Sequence, residues 1–182
     1  MKKIVKALGL VVVGTLLIYG AYVQFRVNTS KTSGQANTYQ VKKVVDGDTI
    51  EVVINGKTET VRLIGMDTPE VVDPRKPVQC FGREASAKGH ELMDGKSVRL
   101  ESDTLAGEVD KYNRRLAYVW LPDGSLYNQY MIAEGFAHEY TYQSQPYKYQ
   151  AQFKAAQALA KSEQKGFWSP NTCDGDTKKA AS

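Results

Sequence analysis

The chain of 182 residues is 42% hydrophobic, which bounds it to one ordinary globular domain plus accessories. Its formal charge of +4 is misleading: Lys2, Lys3, Lys6, Arg26 and Lys31 stand in the first forty residues with no acid, and those five cations leave −1 for the rest. A nearly neutral remainder gives no support to an extended basic binding face, so any polyanion must be held by a few placed cations.

After three lysines the stretch from Ala7 to Val23 is uncharged and apolar. As a helix at ~1.5 Å per residue it spans roughly 25 Å, extendable through Phe25. Tyr19, Tyr22 and Gln24 occupy places where a cleavage site wants small residues, so residues 1–25 read as an uncleaved N-terminal hydrophobic helix, a membrane anchor, in preference to a signal peptide. Lysines ahead of the apolar stretch keep the N-terminus in the cytoplasm and put the rest outside, with secretion after cleavage as the alternative. Residues 26–37 are small, polar and aperiodic, a flexible linker.

TIEVVI alternates Ile50, Val52 and Ile54 with other residues, Asn55-Gly56 offers a two-residue type I′ turn, and KTETVRLIGM returns as a second strand. That turn sets Thr49 across from Arg62 and Asp48 across from Leu63. Ala85, Gly89, Leu92 and Met93 form a helical face stopped by Gly95. SVRLES and RRLAYVWL read as strands, the latter with Leu116, Tyr118 and Trp120 on one face.

Tyr127, Tyr130 and Met131 belong to a short helix ending at Gly135. A third helix runs from about Tyr147 to Lys165, with Tyr149, Phe153, Ala156 and Ala160 on one side and Gly166 as its stop. Residues 171–182 form a polar C-terminal tail, pinned at Cys173 if that cysteine is bridged. Strands early and helices inserted or appended give an α+β chain with a mainly antiparallel sheet, whose edges a small closed barrel would manage. Cys80 and Cys173, both in the exported part, can pair under oxidising conditions; two unpaired thiols are the alternative.

Acidic residues fall in VVDGDT (Asp46, Asp48) and MDTPE (Asp67, Glu70). Carboxylates, carbonyls and a hydroxyl suit Ca²⁺ or Mg²⁺, and two isolated histidines argue against a His-built zinc site. On a flat ladder Asp67 would lie about 13 Å from Asp48 at roughly 3.3 Å per residue, so their convergence requires a curl, for which Gly65 is the place. Each motif also has a plain reading. DGD and DTP are common turn sequences, Arg62 could face solvent, and DKYNRR could be a solvated turn entering a strand.

VVDGDTIEV, VRLIGMDTPE, PVQCFGREAS, DKYNRRLAYVW and GFWS, in this order, resemble the staphylococcal nuclease (thermonuclease) family over about residues 39 to 169. The resemblance implies a five-stranded OB-fold-type β-barrel with three α-helices over residues 38–170. It also implies a monomeric Ca²⁺-dependent nuclease acting on DNA and RNA and leaving 3′-phosphate ends. Carried onto this chain, the metal positions are Asp48, Asp67 and the backbone carbonyl of Thr68, and the catalytic positions are Arg62, Glu70 and Arg114. Lys111, Tyr112, Tyr140 and Tyr142 would meet the nucleotide, the last two after a one-residue shift.

The family usually has Gly where this chain has Asn113, a residue tolerant of positive φ. A rival reading is a non-catalytic OB-fold module that stacks single-stranded nucleic acid on its eleven tyrosines. A third is an exported domain whose ion only stabilises the fold. The intact carboxylate and arginine set favours the enzyme, because a pure binder has no need of it.

Overall fold

The computed structural model describes residues 38–75 and 77–181; the apolar N-terminal stretch and the linker read from the sequence lie outside the described residues. Among the described residues no helix is long and apolar enough to cross a membrane.

Strands β1 (Thr38–Asp46), β2 (Thr49–Ile54) and β3 (Lys57–Leu63) form a meander. A two-residue β4 (Met66–Asp67) follows, then helix α1 (Gly82–Met93), β5 (Ser97–Glu101) and β6 (Arg115–Trp120). Helix α2 (Tyr127–Ala133), the short β7 (His138–Glu139) and helix α3 (Gln150–Ser162) follow, with single 3-10 turns at Tyr142–Ser144 and Gly166–Trp168. The barrel closes in the order β1-β2-β3-β6-β5, and β4 pairs with β7 as a separate two-stranded sheet. This is the five-stranded barrel with three helices that the family resemblance implies.

The β2–β3 hairpin has the predicted register: Thr49 pairs with Arg62, and the Leu63 amide donates to the Asp48 carbonyl at 2.9 Å. Asn55 and Gly56 have φ of 51° and 76°, the two positive values that a type I′ turn demands. Register shifts in β1 fall between Val41 and Lys43 and between Val44 and Asp46. Such bulges bend a strand and sharpen its twist, which a small closed barrel requires. Closure is made by β3 pairing in parallel with β6, Leu63 opposite Ala117.

Val44, Ile50, Val52, Val61, Leu63, Val98, Ala117 and Val119 are buried. Leu116, Tyr118 and Trp120 share a face of β6, but the alternate residues Ala117 and Val119 are the more uniformly buried set. Both faces of β6 are covered, because Tyr149 and Phe153 of the α3 region bring their rings to 4.7 and 6.1 Å from Tyr118. A strand covered on both sides reads as a nearly continuous apolar run, so alternation alone could not choose its inner face.

Helix α3 is shorter at both ends than the predicted Tyr147–Lys165. At its start the Lys148 amide donates to Asp103 Oδ2 at 2.7 Å, which holds the preceding chain outside the helix. At its end Gln164 takes φ of 54°, so the left-handed turn comes before Gly166. Residues 171–181, expected as a polar tail, are bonded to the domain. Cys173 is fully buried in a disulfide with Cys80, the Cys80 amide donates to the Lys179 carbonyl at 2.9 Å, and the Ala181 amide donates to the Val78 carbonyl at 2.8 Å.

Gly65 is where the chain leaves β3. It has φ of +76°, and a Cβ there would lie 2.6 Å from a Tyr147 ring carbon and 2.9 Å from Phe153. Gly65→Ala therefore combines a left-handed conformation with overpacking and is expected to destabilise by about 2 to 4 kcal/mol. Urea unfolding measures this, and an unchanged midpoint would contradict the close approach.

Candidate active site

The turn between β1 and β2 is built to aim Asp48. The Asp48 amide donates to Asp46 Oδ1 at 3.0 Å, a side chain closing its own turn, and the buried Tyr127 hydroxyl donates to the Gly47 carbonyl at 2.8 Å. A Cβ on Gly47 would lie 2.6 Å from Thr68 Cγ2, so only glycine lets the turn press against that residue. Asp48 Oδ1 accepts from the Thr49 hydroxyl at 3.0 Å, and Oδ2 accepts from the Thr68 amide at 2.9 Å.

Those contacts replace the separation of a flat ladder. After the turn at Ile64–Gly65 the chain abandons the barrel, and β4 pairs with β7, Asp67 opposite His138. This carries Asp67 and Thr68 back over Asp48. Arg62 joins the two carboxylates: Nη1 is ion-paired with Asp48 Oδ1 and reaches the Asp48 carbonyl at 3.4 Å, while Nη2 donates to Asp67 Oδ1 at 2.7 Å. Arg62 is thus not a solvent-facing residue; its side chain is 14% exposed.

Three carboxylates, Asp46, Asp48 and Asp67, surround this one guanidinium. Burial and the charge of Asp48 push Asp46 up to about 7. Burial and Asp48 likewise raise Asp67, against the opposing pull of Arg62. Burial works against the charge on Arg62, but Asp48, Asp67 and Asp46 outweigh it and hold the guanidinium above its usual value. The cluster is short of positive charge, and its oxygen donors are those of a hard cation. Among the described residues no three His, Cys, Asp or Glu side chains are arranged to hold a metal. The two carboxylates that meet on Arg62 are Asp48 and Asp67, and the Thr68 amide binds the first of them.

A cleft of about 480 Å³ opens beside the cluster, with Arg62 and Asp67 on one wall and Lys111, Tyr112 and Arg114 on another. Arg114 enters from the turn before β6. Its Nε donates to Asp110 Oδ2 at 2.7 Å and its Nη2 lies 2.6 Å from the same oxygen, while the Tyr112 and Arg114 amides both donate to Asp110 Oδ1 at 2.9 Å. Asn113 takes φ of 61°, so the turn keeps the conformation for which glycine would otherwise be used. Asp110 was not singled out in the sequence; an Asp four residues before an Arg across an Asx-type turn is the signal that could have found it.

Tyr140 and Tyr142 also line the cleft, each 44% exposed, with ring centroids 6.5 Å apart. The most open aromatic is Tyr112, 68% exposed, with Lys111 Nζ 5.0 Å from its ring centre.

Glu70 is not among the cleft-lining residues. Its Oε1 accepts from the Val71, Val72 and Asp73 amides at 2.9, 2.7 and 3.1 Å, and its charge is felt at Asp67. Gln79 grips its backbone from both sides: the Glu70 amide donates to Gln79 Oε1 at 2.8 Å, and the Gln79 amide donates to the Glu70 carbonyl at 2.9 Å. Nothing in the sequence pattern marked Gln79.

The family described as staphylococcal nuclease homologue matches residues 60–170. The chain is 39% identical over 173 residues to a thermonuclease of Staphylococcus hyicus, covering 93% of this chain and 99% of that protein. It is 37% identical over 172 residues to a thermonuclease of Staphylococcus intermedius, covering 92% and 99%. It is also 38% identical over 141 residues to endonuclease YncB of Bacillus subtilis (strain 168), covering 77% and 65%.

Proposed function

The chain belongs to the staphylococcal nuclease family and is a phosphodiester-cleaving hydrolase, and from that premise we propose that it is a Ca²⁺-dependent enzyme acting on DNA and RNA. It leaves 3′-phosphate ends and works outside the cytoplasm as a monomer, anchored by residues 1–25 or released from them. The observation that carries this reading is the convergence of Arg62, Asp48 and Asp67 beside a cleft that also holds Arg114.

Asp48, Asp67 and the Thr68 carbonyl would hold the ion, which when bound neutralises charge on a phosphate oxygen. Attack by water on phosphorus builds a second negative charge on the equatorial oxygens, and preorganised donors aimed there lower the barrier. Asp110 takes the Nε and Nη2 edge of Arg114, leaving the other edge for a phosphate. Arg62 is locked by two carboxylates beside the same oxygens. Glu70 takes the proton from the attacking water, the new oxygen–phosphorus bond forms, and the bond to the 5′ oxygen breaks, that oxygen taking a proton from solvent to leave as a 5′-hydroxyl. Tyr112, Tyr140 and Tyr142 offer ring faces to bases, and Lys111 offers a cation to a neighbouring phosphate.

DNA and RNA incubated with the protein and either Ca²⁺ or EDTA test the reading on a gel. Cleavage with Ca²⁺ and none with EDTA is the expected result, and retarded but uncut nucleic acid would make the chain a binding module instead. Asp48→Asn keeps the side chain's size and removes one of two ligand charges. It is expected to raise the Ca²⁺ needed for half-maximal activity about tenfold or more, by analogy with losses on disturbing metal shells. An unchanged Ca²⁺ titration would remove Asp48 from the ligand set.

A further inference from the structure

Beyond residue 170, where the family match ends, the chain does not trail away. It returns along the segment Val78–Cys80, with Ala180 bridged to Gln79, backbone hydrogen bonds to Val78 and Cys80 on either side, and the Cys80–Cys173 disulfide at its root. The residue at the centre of this return is Gln79, the one that holds both backbone polar groups of Glu70. Helix α1 starts hard against the same place: a Cβ on Gly82 would lie 2.6 Å from Val71 Cγ1 and 3.1 Å from the Glu70 carbonyl. On its other side the returning segment reaches His138, whose Nε2 shares a 3.0 Å hydrogen bond with the Thr177 hydroxyl and whose backbone pairs with Asp67.

We propose that residues 171–181 are a positioning strap for the active site, acting through Gln79 to fix Glu70, and that Gln79 is a positioning residue for proton abstraction. The proposal rests on the role given to Glu70 above. The physical argument is one of degrees of freedom. Glu70 sits at the mouth of the connection between β4 and α1, whose described residues form no strand or helix. A carboxylate on such a connection holds a productive geometry only if its backbone is fixed from outside, and a misplacement of about 1 Å can cost on the order of 10²-fold in rate. The strap supplies that support covalently at Cys80 and through backbone hydrogen bonds at Val78 and Cys80.

Steady-state cleavage of a fluorogenic oligodeoxynucleotide at saturating Ca²⁺ tests the proposal. Gln79→Leu is expected to lower kcat about tenfold with KM and Ca²⁺ half-saturation changed less than about twofold, and Gln79→Glu, which keeps an acceptor oxygen, to regain most of the loss. Cys80→Ser/Cys173→Ser, assayed at a temperature where circular dichroism shows it folded, should give the same split between kcat and KM. Placed on Glu70→Gln, the Gln79→Leu change should cost nothing further, because its effect passes through the carboxylate already removed. Wild-type kcat in folded Gln79→Leu, or a full additional loss in the Glu70→Gln background, overturns the strap. Wild-type kcat in Glu70→Gln alone is a different result and overturns the role of Glu70 itself.

Discussion

Arg114→Lys is expected to lower kcat by about 10²- to 10³-fold, the roughly 2.7 to 4 kcal/mol that one preorganised transition-state donor supplies, while leaving the fold nearly as stable as before. The asymmetry follows from the site. Arg114 keeps two donors on Asp110 and still has an edge for phosphate, because a guanidinium is a planar fork with five N–H groups. A lysine ammonium is a point charge on a flexible stem; drawn to Asp110 it no longer reaches the phosphate, and drawn to the phosphate it leaves Asp110 Oδ2 without the guanidinium. Stability changes little because the Arg114 side chain is 30% exposed and ion pairs of that kind contribute about 0 to 1 kcal/mol. Arg62→Lys should behave differently, losing activity and stability together, since that guanidinium spans two carboxylates in a largely buried position. Turnover with a short DNA substrate and a thermal melt on each variant separate the two cases. Near-normal turnover in folded Arg114→Lys would refute the assignment.

Loss of the Cys80–Cys173 bridge is expected to be the largest single effect on stability. The bridged cysteines are 93 residues apart in sequence. In the chain-entropy description a loop of that length is worth roughly 4 to 5 kcal/mol, an upper figure because the reduced unfolded chain retains structure. Cys80→Ser/Cys173→Ser should therefore lower the melting temperature by roughly 10 °C or more for a domain of this size. Guanidinium unfolding of the two proteins measures the difference directly. A loss below about 1 kcal/mol would mean that backbone hydrogen bonds at Val78 and Cys80 already hold the strap without the bond.

The hairpin was legible down to its register because Asn55-Gly56 is local chemistry that admits few alternatives. The same holds for the stops at Gly95 and Gly135, where positive φ is required. What the sequence could not show was the return of Asp67 to Asp48. That depends on β4 finding β7, a partner some seventy residues later, and on Gly65 tucking beneath Tyr147 and Phe153. Gln79 and Asp110 escaped for a related reason: each acts by gripping a neighbour, and a Gln or an Asp in a polar stretch carries no pattern that says what it grips. The start of α3 differs from the sequence reading because Asp103, distant in sequence, competes for the Lys148 amide, and its end because Gln164 turns left-handed before Gly166. The family resemblance proposes site residues that spacing alone leaves open, and it is silent on the segment after residue 170.

The parallel pairing of β3 with β6 has a kinetic consequence. The meander β1–β2–β3 is made of near neighbours and can form early, carrying Asp48 and Arg62 with it. Arg114 joins them only when β6 docks on β3, a contact between distant parts of the chain and therefore a slow one. If these residues form the catalytic centre as proposed, a partly folded molecule holds only part of it and is expected to be inactive. Onset of cleavage during refolding should coincide with barrel closure.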